Sequence, residues 1–151
     1  MENQRREHAS EALTAIAEAR AAAADTLVTP WWYHPILGLL LGAHVVVFSL
    51  GTMLIQAVGL VLFLAGLALL VRAYRRLTGV WISGFDAGRA SRWAYAIGGV
   101  TGLLLLASWI VVRTTSLVWP TWGLAALLCV GVVILGRRFD LALRAQLRAG
   151  A

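Results

Sequence analysis

The sequence contains no lysine and only one cysteine, Cys129. A single cysteine excludes an intrachain disulfide and a multi-cysteine metal site. All thirteen basic residues are arginines, which, with the abundance of Ala, Leu, Gly and Val, suggests a GC-rich bacterial genome of the actinobacterial kind. The first thirty residues lack the apolar core of a cleavable signal peptide, so we expect the first membrane helix to direct insertion.

Acidic residues are few and unevenly placed. Five of the seven lie in residues 1–29, and the other two are Asp86 and Asp140. The long uncharged stretches therefore lack the intramembrane carboxylate that proton-coupled small exporters generally need. Motifs for nucleotide binding, acyl transfer and zinc proteolysis are also missing. We expect no catalytic residue and no cofactor.

Metal or haem ligation by the two histidines near the first apolar stretch is disfavoured by their spacing. His34 and His44 are ten residues apart, which is about 15 Å along a helix and roughly 280° around it. One regular helix cannot bring both rings to one metal, and we expect no metal site.

What the sequence has in excess is apolar surface. Hydrophobic residues make up 60% and charged residues 13% of the 151 residues, against about 45–50% and about 25% in soluble domains. A domain of this size still leaves about 30% of its unfolded-chain surface in water. We therefore predict an all-α integral membrane protein with four transmembrane helices and the lipid bilayer as its surroundings.

The lengths of the uncharged runs predict the spans. No charged residue occurs from Trp31 to Val71, which is too long for one span of about 20 residues, and the polar cluster from Ser49 to Thr52 predicts a turn. A transmembrane domain over residues 30–137 is expected to form two hairpins. Its four helices are predicted at about 31–49, 53–72, 92–112 and 117–136. Residues 1–29 predict a cytoplasmic amphipathic helix that Pro30 ends. Residues 138–151 predict a cytoplasmic tail, in which Asp140 to Arg148 prolong the fourth helix as an amphipathic segment.

Arginine asymmetry predicts the orientation. Three arginines lie in residues 1–29, five in 72–92 and four from Arg137 onward, whereas Arg113 alone falls on the other side. Both termini are therefore expected in the cytoplasm of a bacterium, with the helices in its plasma membrane. Aromatic residues are expected to anchor the two interfaces: Trp31, Trp32, Tyr33 and Trp93 inside, and Trp109, Trp119 and Trp122 outside. A pI of about 11 is compatible with nucleic-acid binding. No basic stripe lies on a soluble module, however, so we expect no nucleic-acid partner.

Polar residues inside the predicted spans are the candidate site. His44 and Gln56 lie about six residues on either side of the first turn, so we expect them at similar depth. They either form a hydrogen bond that fastens the hairpin or, with Thr101 and Ser108, line a ligand pocket. The pairs Gly38–Gly42 and Gly98–Gly102 place two glycines on one helix face and predict close helix packing, within or between subunits.

An Ala-rich leader, Pro30-Trp31-Trp32-Tyr33, an apolar hairpin, an Arg-rich turn and a second hairpin follow one another along the chain. This order resembles small four-span membrane proteins of actinobacteria. Because that group has no settled activity, the resemblance implies architecture and no site residues.

Three functional hypotheses follow from these observations. The first is a non-enzymatic, self-associating membrane protein with a regulatory or scaffold role, whose acidic residues 1–28 contact a cytoplasmic protein. The second is a small-molecule transporter or ligand-binding protein with a polar pocket near His44. The third is an enzyme acting on a hydrophobic substrate, which would need a polar cavity that reaches Asp86 or His34.

Overall fold

A computed structural model describes residues 2–26, 29–78 and 84–149. Over these residues the chain is entirely helical, as predicted. The five α-helices are α1 (Glu2–Thr26), α2 (Tyr33–Leu50), α3 (Met53–Thr78), α4 (Ser91–Thr115) and α5 (Trp119–Ala149). Two short 3₁₀ turns, Gly84–Asp86 and Gly88–Ala90, lead into α4. Residues 27 and 28 of the predicted leader helix lie outside the described residues.

Within the described residues, four stretches are long and apolar enough to cross a membrane: Tyr33–Leu50, Met53–Thr78, Gly88–Thr115 and Trp119–Gln146. The shortest, α2, has 18 residues and spans about 27 Å, close to the hydrocarbon thickness of about 30 Å. On α3, Leu62 and Leu69 are 65% and 66% exposed. A continuous apolar surface of this kind belongs in lipid rather than in water, and the chain is a membrane protein.

The helix ends follow local chemistry. The N–H of Tyr33 donates to the carbonyl of Pro30 at 3.0 Å, which starts α2, and the N–H of Gly51 donates to the carbonyl of Val47 at 2.9 Å, which ends it. Residue Ser116, at φ 57°, closes α4 in the left-handed conformation, a common way to end a helix.

Two helices run further than their predicted membrane spans. The second span was expected to stop near residue 72, and the fourth near 136. In the structure α3 continues to Thr78 and α5 to Ala149, because arginine favours helix and nothing in these segments breaks one. Residues 138–149 are thus the end of α5, in line with the prediction that Asp140 to Arg148 prolong the fourth helix.

The core lies between α2, α4 and α5. Val45, Leu128 and Val132 are almost fully buried there, and the buried hydroxyl of Ser108 on α4 hydrogen-bonds that of Thr121 on α5 at 3.0 Å. The third helix contacts mainly α2, and α1 contacts α5. The middle of the bundle is therefore closely packed, while most of α3 faces outward.

Glycine permits the closest helix approach. A Cβ added to Gly38 would lie 2.9 Å from the carbonyl oxygen of Cys129, and one added to Gly42 would lie 2.8 Å from its Sγ. The Cys129 thiol in turn hydrogen-bonds the carbonyl of Gly38 at 3.1 Å. By contrast, Cβ atoms on Gly98 and Gly102 would meet no described atom beyond their own helix within 4 Å. The first pair thus lies at a contact between α2 and α5, and the second on an open face of α4.

Candidate functional site

The candidate site lies where α2 begins and the apolar part of α5 ends, here called the His34 end of the bundle. His34 belongs to the first turn of α2 and is buried. Its ring rests on Gly136 of α5, where an added Cβ would overlap the imidazole. Four residues later on the same face of α5 is Asp140. Gly136 therefore makes room for the ring, and Asp140 binds it.

Asp140 is the centre of a small polar cluster. The Nε2 atom of His34 lies 2.8 Å from its Oδ2, and the hydroxyl of Thr29 donates to its Oδ1 at 2.9 Å. The His34 and Asp140 side chains are 9% and 18% exposed. An ionised carboxylate only accepts hydrogen bonds, so Nε2 is the protonated ring nitrogen facing it. The other ring nitrogen, Nδ1, is buried without a hydrogen-bond partner among the described residues.

A cavity of about 140 Å³ opens beside this cluster. Four helices contribute to it, with Leu37 from α2, Tyr74 from α3, Ile97 from α4 and Phe139 from α5 among its mostly apolar walls. Tyr33 and Tyr74 meet at a centroid distance of 5.1 Å and an angle of 59°. The remaining lining residues are Thr29, Tyr33, His34, Gly84, Ala94, Gly136, Asp140, Leu143 and Arg144. The volume is close to that of a cavity of about 150 Å³ that holds benzene.

The segment before α4 contributes Gly84 to the cavity lining. Gln146 near the end of α5 accepts a hydrogen bond from the N–H of Ala90 at 3.3 Å. A Cβ on Gly88 would collide with the Gln146 amide, and the φ of Gly88 is +57°. Glycine therefore allows both the close contact with Gln146 and the left-handed backbone conformation. The hydroxyl of Ser91 donates to the carbonyl of Phe85 at 3.0 Å. The bond to Gln146 thus joins the segment to α5, and the bond to Phe85 joins it to the first residue of α4.

The hydrogen bond predicted between His44 and Gln56 is wrong. The amide of Gln56 donates instead to the carbonyls of Phe48 at 2.7 Å and Gly51 at 3.2 Å. His44 stacks on Phe63 of α3, with ring centroids 4.5 Å apart. The last carbonyls of a helix lack intrahelical partners, so they are available to accept the hydrogen bonds of Gln56. Gln56 still joins the two helices, though through the main chain.

The other predicted pocket residues bond elsewhere. The hydroxyl of Thr101 donates to the carbonyl of Ile97 in its own helix at 2.7 Å, and Ser108 pairs with Thr121. Among the described contacts, none brings these two residues together with His44 and Gln56. A ligand pocket near His44 stays a prediction, whereas the cavity that the structure shows surrounds His34.

Most of the predicted interface aromatics are exposed. Trp31, Trp119 and Trp122 are exposed, as is Trp109, whose ring is 5.5 Å from the Arg113 guanidinium carbon. Trp93 is half-buried, and the guanidinium carbon of Arg92 lies 5.5 Å from its ring centroid. Trp32 and Tyr33 pack against each other with centroids 6.4 Å apart. Their role as membrane anchors stays a prediction.

The pairing of His34 with Asp140 is not predicted by the sequence pattern. From the sequence, His34 lies at the inner membrane boundary and Asp140 in the segment that prolongs the fourth helix, and no pattern connects the two. One feature could have suggested it: Gly136 and Asp140 lie one helical turn apart, just beyond the last uncharged run. Such a glycine allows another chain segment to come close to the acid that follows it.

Fold and site together define a helical membrane protein with a largely apolar, partly polar cavity at one end of the bundle. Among the described residues, no group of three His, Cys, Asp or Glu side chains lies close enough to hold a metal ion. Comparisons with protein-family models, curated proteins and solved structures find no match to this chain.

Proposed function

We propose that this protein binds a small lipophilic molecule in the cavity at the His34 end of the bundle. The observation that carries the proposal is the cavity itself, which four helices line with mainly apolar side chains and with one polar cluster. Pockets of this composition use apolar walls for affinity and a few polar groups for orientation. A membrane protein meets lipophilic molecules at high local concentration, which suits such a site.

Binding is favoured over transport by the packing of the core. Val45, Leu128 and Val132 fill the space between α2, α4 and α5 beyond the cavity, and the Ser108–Thr121 hydrogen bond lies in the same interior. A transported molecule would have to displace these groups. A ligand held at the His34 end displaces none of them.

Binding is also favoured over catalysis. A histidine paired with an aspartate has the composition of an acid–base pair. Here, however, the ring nitrogen that does not face Asp140, Nδ1, is buried and packs on Gly136, so a substrate has no access to it. The side chain of Asp86, the other candidate for an enzyme, is outside what the structure describes.

The orientation that we propose places both termini and the His34 end in the cytoplasm, with the helices crossing a bacterial plasma membrane as the hairpins α2–α3 and α4–α5. It is supported by the arginines, because twelve of the thirteen fall in the segments proposed to lie on the inner side. Single cysteines introduced at Thr115 and Arg148 in a Cys129→Ala background provide the test. A membrane-impermeant maleimide added to intact cells should label position 115 and spare position 148, and the reverse pattern would refute the orientation.

The binding proposal is tested with 4-fluorotoluene and the full chain in lipid nanodiscs, by ¹⁹F NMR. Ala94→Phe places a ring in the cavity, whereas Ala126→Phe adds the same ring to an exposed position on α5. Saturable binding is expected for the native chain and for Ala126→Phe, and not for Ala94→Phe. Equal binding by both variants, or no saturable binding to the native chain, would refute the site. Thermal unfolding of each variant verifies that it is folded.

A second candidate function is self-association through α1, in a scaffold or regulatory role with a cytoplasmic protein partner. Leu13 and Ile16 favour it, since both are exposed and lie three residues apart on one face of α1. Mass photometry in nanodiscs would compare the full chain with one lacking residues 1–28. A fall in oligomer size on deletion is expected, and an unchanged size would remove α1 as the contact.

A further inference from the structure

We infer that the cavity at the His34 end selects an uncharged, ring-sized molecule whose hydroxyl group donates a hydrogen bond to Asp140. This inference rests on the proposed binding function and adds the chemical class of the ligand. Three features of the described residues carry it: the size and aromatic walls of the cavity, the free acceptor positions of Asp140, and the balance of charge in the lining.

Size and shape favour a single ring. The cavity measures about 140 Å³, and one of about 150 Å³ accommodates benzene. Tyr33, Tyr74 and Phe139 contribute aromatic surface to its walls. The first two rings are tilted at 59° to each other, so a third ring can pack edge-to-face or offset on either, an arrangement worth about 0.5–1.5 kcal/mol beyond burial.

Asp140 supplies the polar contact. Its two oxygens have about four acceptor positions, and the structure fills one on each, from His34 and from Thr29. Asp140 also belongs to the cavity lining. The carboxylate is thus held in place by two donors while keeping capacity for a third. A ligand group that donates a proton matches it, and a group that only accepts does not.

Charge balance favours a neutral donor. Asp140 and Arg144 carry opposite charges and both line the cavity, four residues apart on α5. An ammonium or carboxylate ligand would add an uncompensated charge to mainly apolar walls, where an unpaired charge is costly. A phenolic hydroxyl brings the donor without the charge, since its pKa of about 10 leaves it protonated at pH 7.

Four probes of matched size provide the test at pH 7, with the full chain in nanodiscs and ¹⁹F NMR detection: 4-fluorophenol, 4-fluorotoluene, 4-fluorobenzylamine and 4-fluorobenzoate. Dissociation constants are referred to the probe concentration in the lipid phase. We expect 4-fluorophenol to bind about tenfold more tightly than 4-fluorotoluene, in line with one hydrogen bond to a charged acceptor. The amine and the carboxylate should bind more weakly than the phenol.

Two variants assign the preference to Asp140. Asp140→Asn should reduce the phenol-to-toluene ratio to below about threefold, because the remaining amide oxygen is an uncharged acceptor. Thr114→Val removes an exposed hydroxyl outside the cavity lining, at the other end of α4, so it should retain the preference. A ratio unchanged in Asp140→Asn, or lost equally in both variants, would overturn the role of Asp140.

The outcomes separate this inference from the proposed function. If 4-fluorotoluene and 4-fluorophenol bind equally, or if the amine or the carboxylate binds most tightly, the ligand class is wrong and the binding site stands. If 4-fluorotoluene does not bind saturably to the native chain, the proposed function fails, and the ligand class fails with it.

Discussion

The imidazole of His34 lies directly on the Cα of Gly136, 102 positions later in the chain, and a Cβ at position 136 would overlap the ring. This contact sets how closely α2 and α5 approach at the His34 end, and it aligns the ring with Asp140 one turn further on. The polar cluster therefore depends on a residue that has no side chain. Four predictions follow from this contact and from the packing described above.

Replacing Gly136 by alanine should displace the His34 ring and weaken its hydrogen bond to Asp140. Overpacking of this kind typically costs about 1–3 kcal/mol, and we expect a loss of that size in the free energy of unfolding, measured by denaturant titration in detergent micelles. Gly131→Ala is the matched control on the same helix, because its Cβ would meet no described atom within 4 Å. Equal effects of the two changes would contradict the contact.

His34 and Asp140 should be energetically coupled. Removal of either partner leaves a buried polar group unsatisfied, at about 1–3 kcal/mol, so the double variant should lose less stability than the two single variants summed. A double-mutant cycle of His34→Ala and Asp140→Ala measures the coupling, with about 1 kcal/mol or more expected. Leu13→Ala, on the exposed face of α1, combined with Asp140→Ala is a control cycle that should be additive. A coupling below about 0.3 kcal/mol at the His34 pair would argue against the bond.

The two glycine pairs should respond differently to alanine. In Gly38→Ala the new methyl would press on the main chain of Cys129, which cannot move aside like a flexible side chain, and a loss of about 1–3 kcal/mol is expected. Gly98→Ala meets open space and should be neutral or stabilising, because alanine favours helix over glycine by about 1 kcal/mol. The free energy of unfolding of both variants is measured in detergent micelles. Destabilisation by Gly98→Ala in monomeric protein would contradict the described packing.

Gln56 and His44 should act independently. Gln56→Leu removes two hydrogen bonds to main-chain carbonyls at the end of α2 and should lower stability by about 1 kcal/mol. His44→Phe retains an aromatic ring against Phe63 and should be nearly neutral. The double variant should equal the sum within about 0.5 kcal/mol. A larger coupling energy would instead support the direct His44–Gln56 hydrogen bond expected from the sequence.

Much of the fold is predictable from the sequence because the bilayer imposes simple lengths. The charge-free run from Trp31 to Val71 is about two spans long. The polar turn in its middle allows only one division into two helices, and the structure has the break there, at Gly51 and Thr52. The far end of α3 is less predictable. Arginine marks where a helix leaves lipid, and it does not mark where the helix stops.

The site is harder to predict because it depends on pairing between distant segments. His34 and Asp140 are 106 residues apart, and no periodicity links them. His44 and Gln56 lie near one turn, so local geometry suggested a bond, yet local main-chain carbonyls compete for the same donor. Nor does the pattern distinguish Gly38–Gly42 from Gly98–Gly102. Only the position of α5 does so.

The length of α5 has a mechanical consequence. Its 31 residues make one rod of about 46 Å, longer than the hydrocarbon layer of about 30 Å. The rod includes Gly136 and Asp140 at the cavity and, about 9 Å beyond Asp140, Gln146, which holds the segment before α4. The cavity wall and the segment beside it are thus attached to the same rigid body, and any pivot of α5 displaces both together.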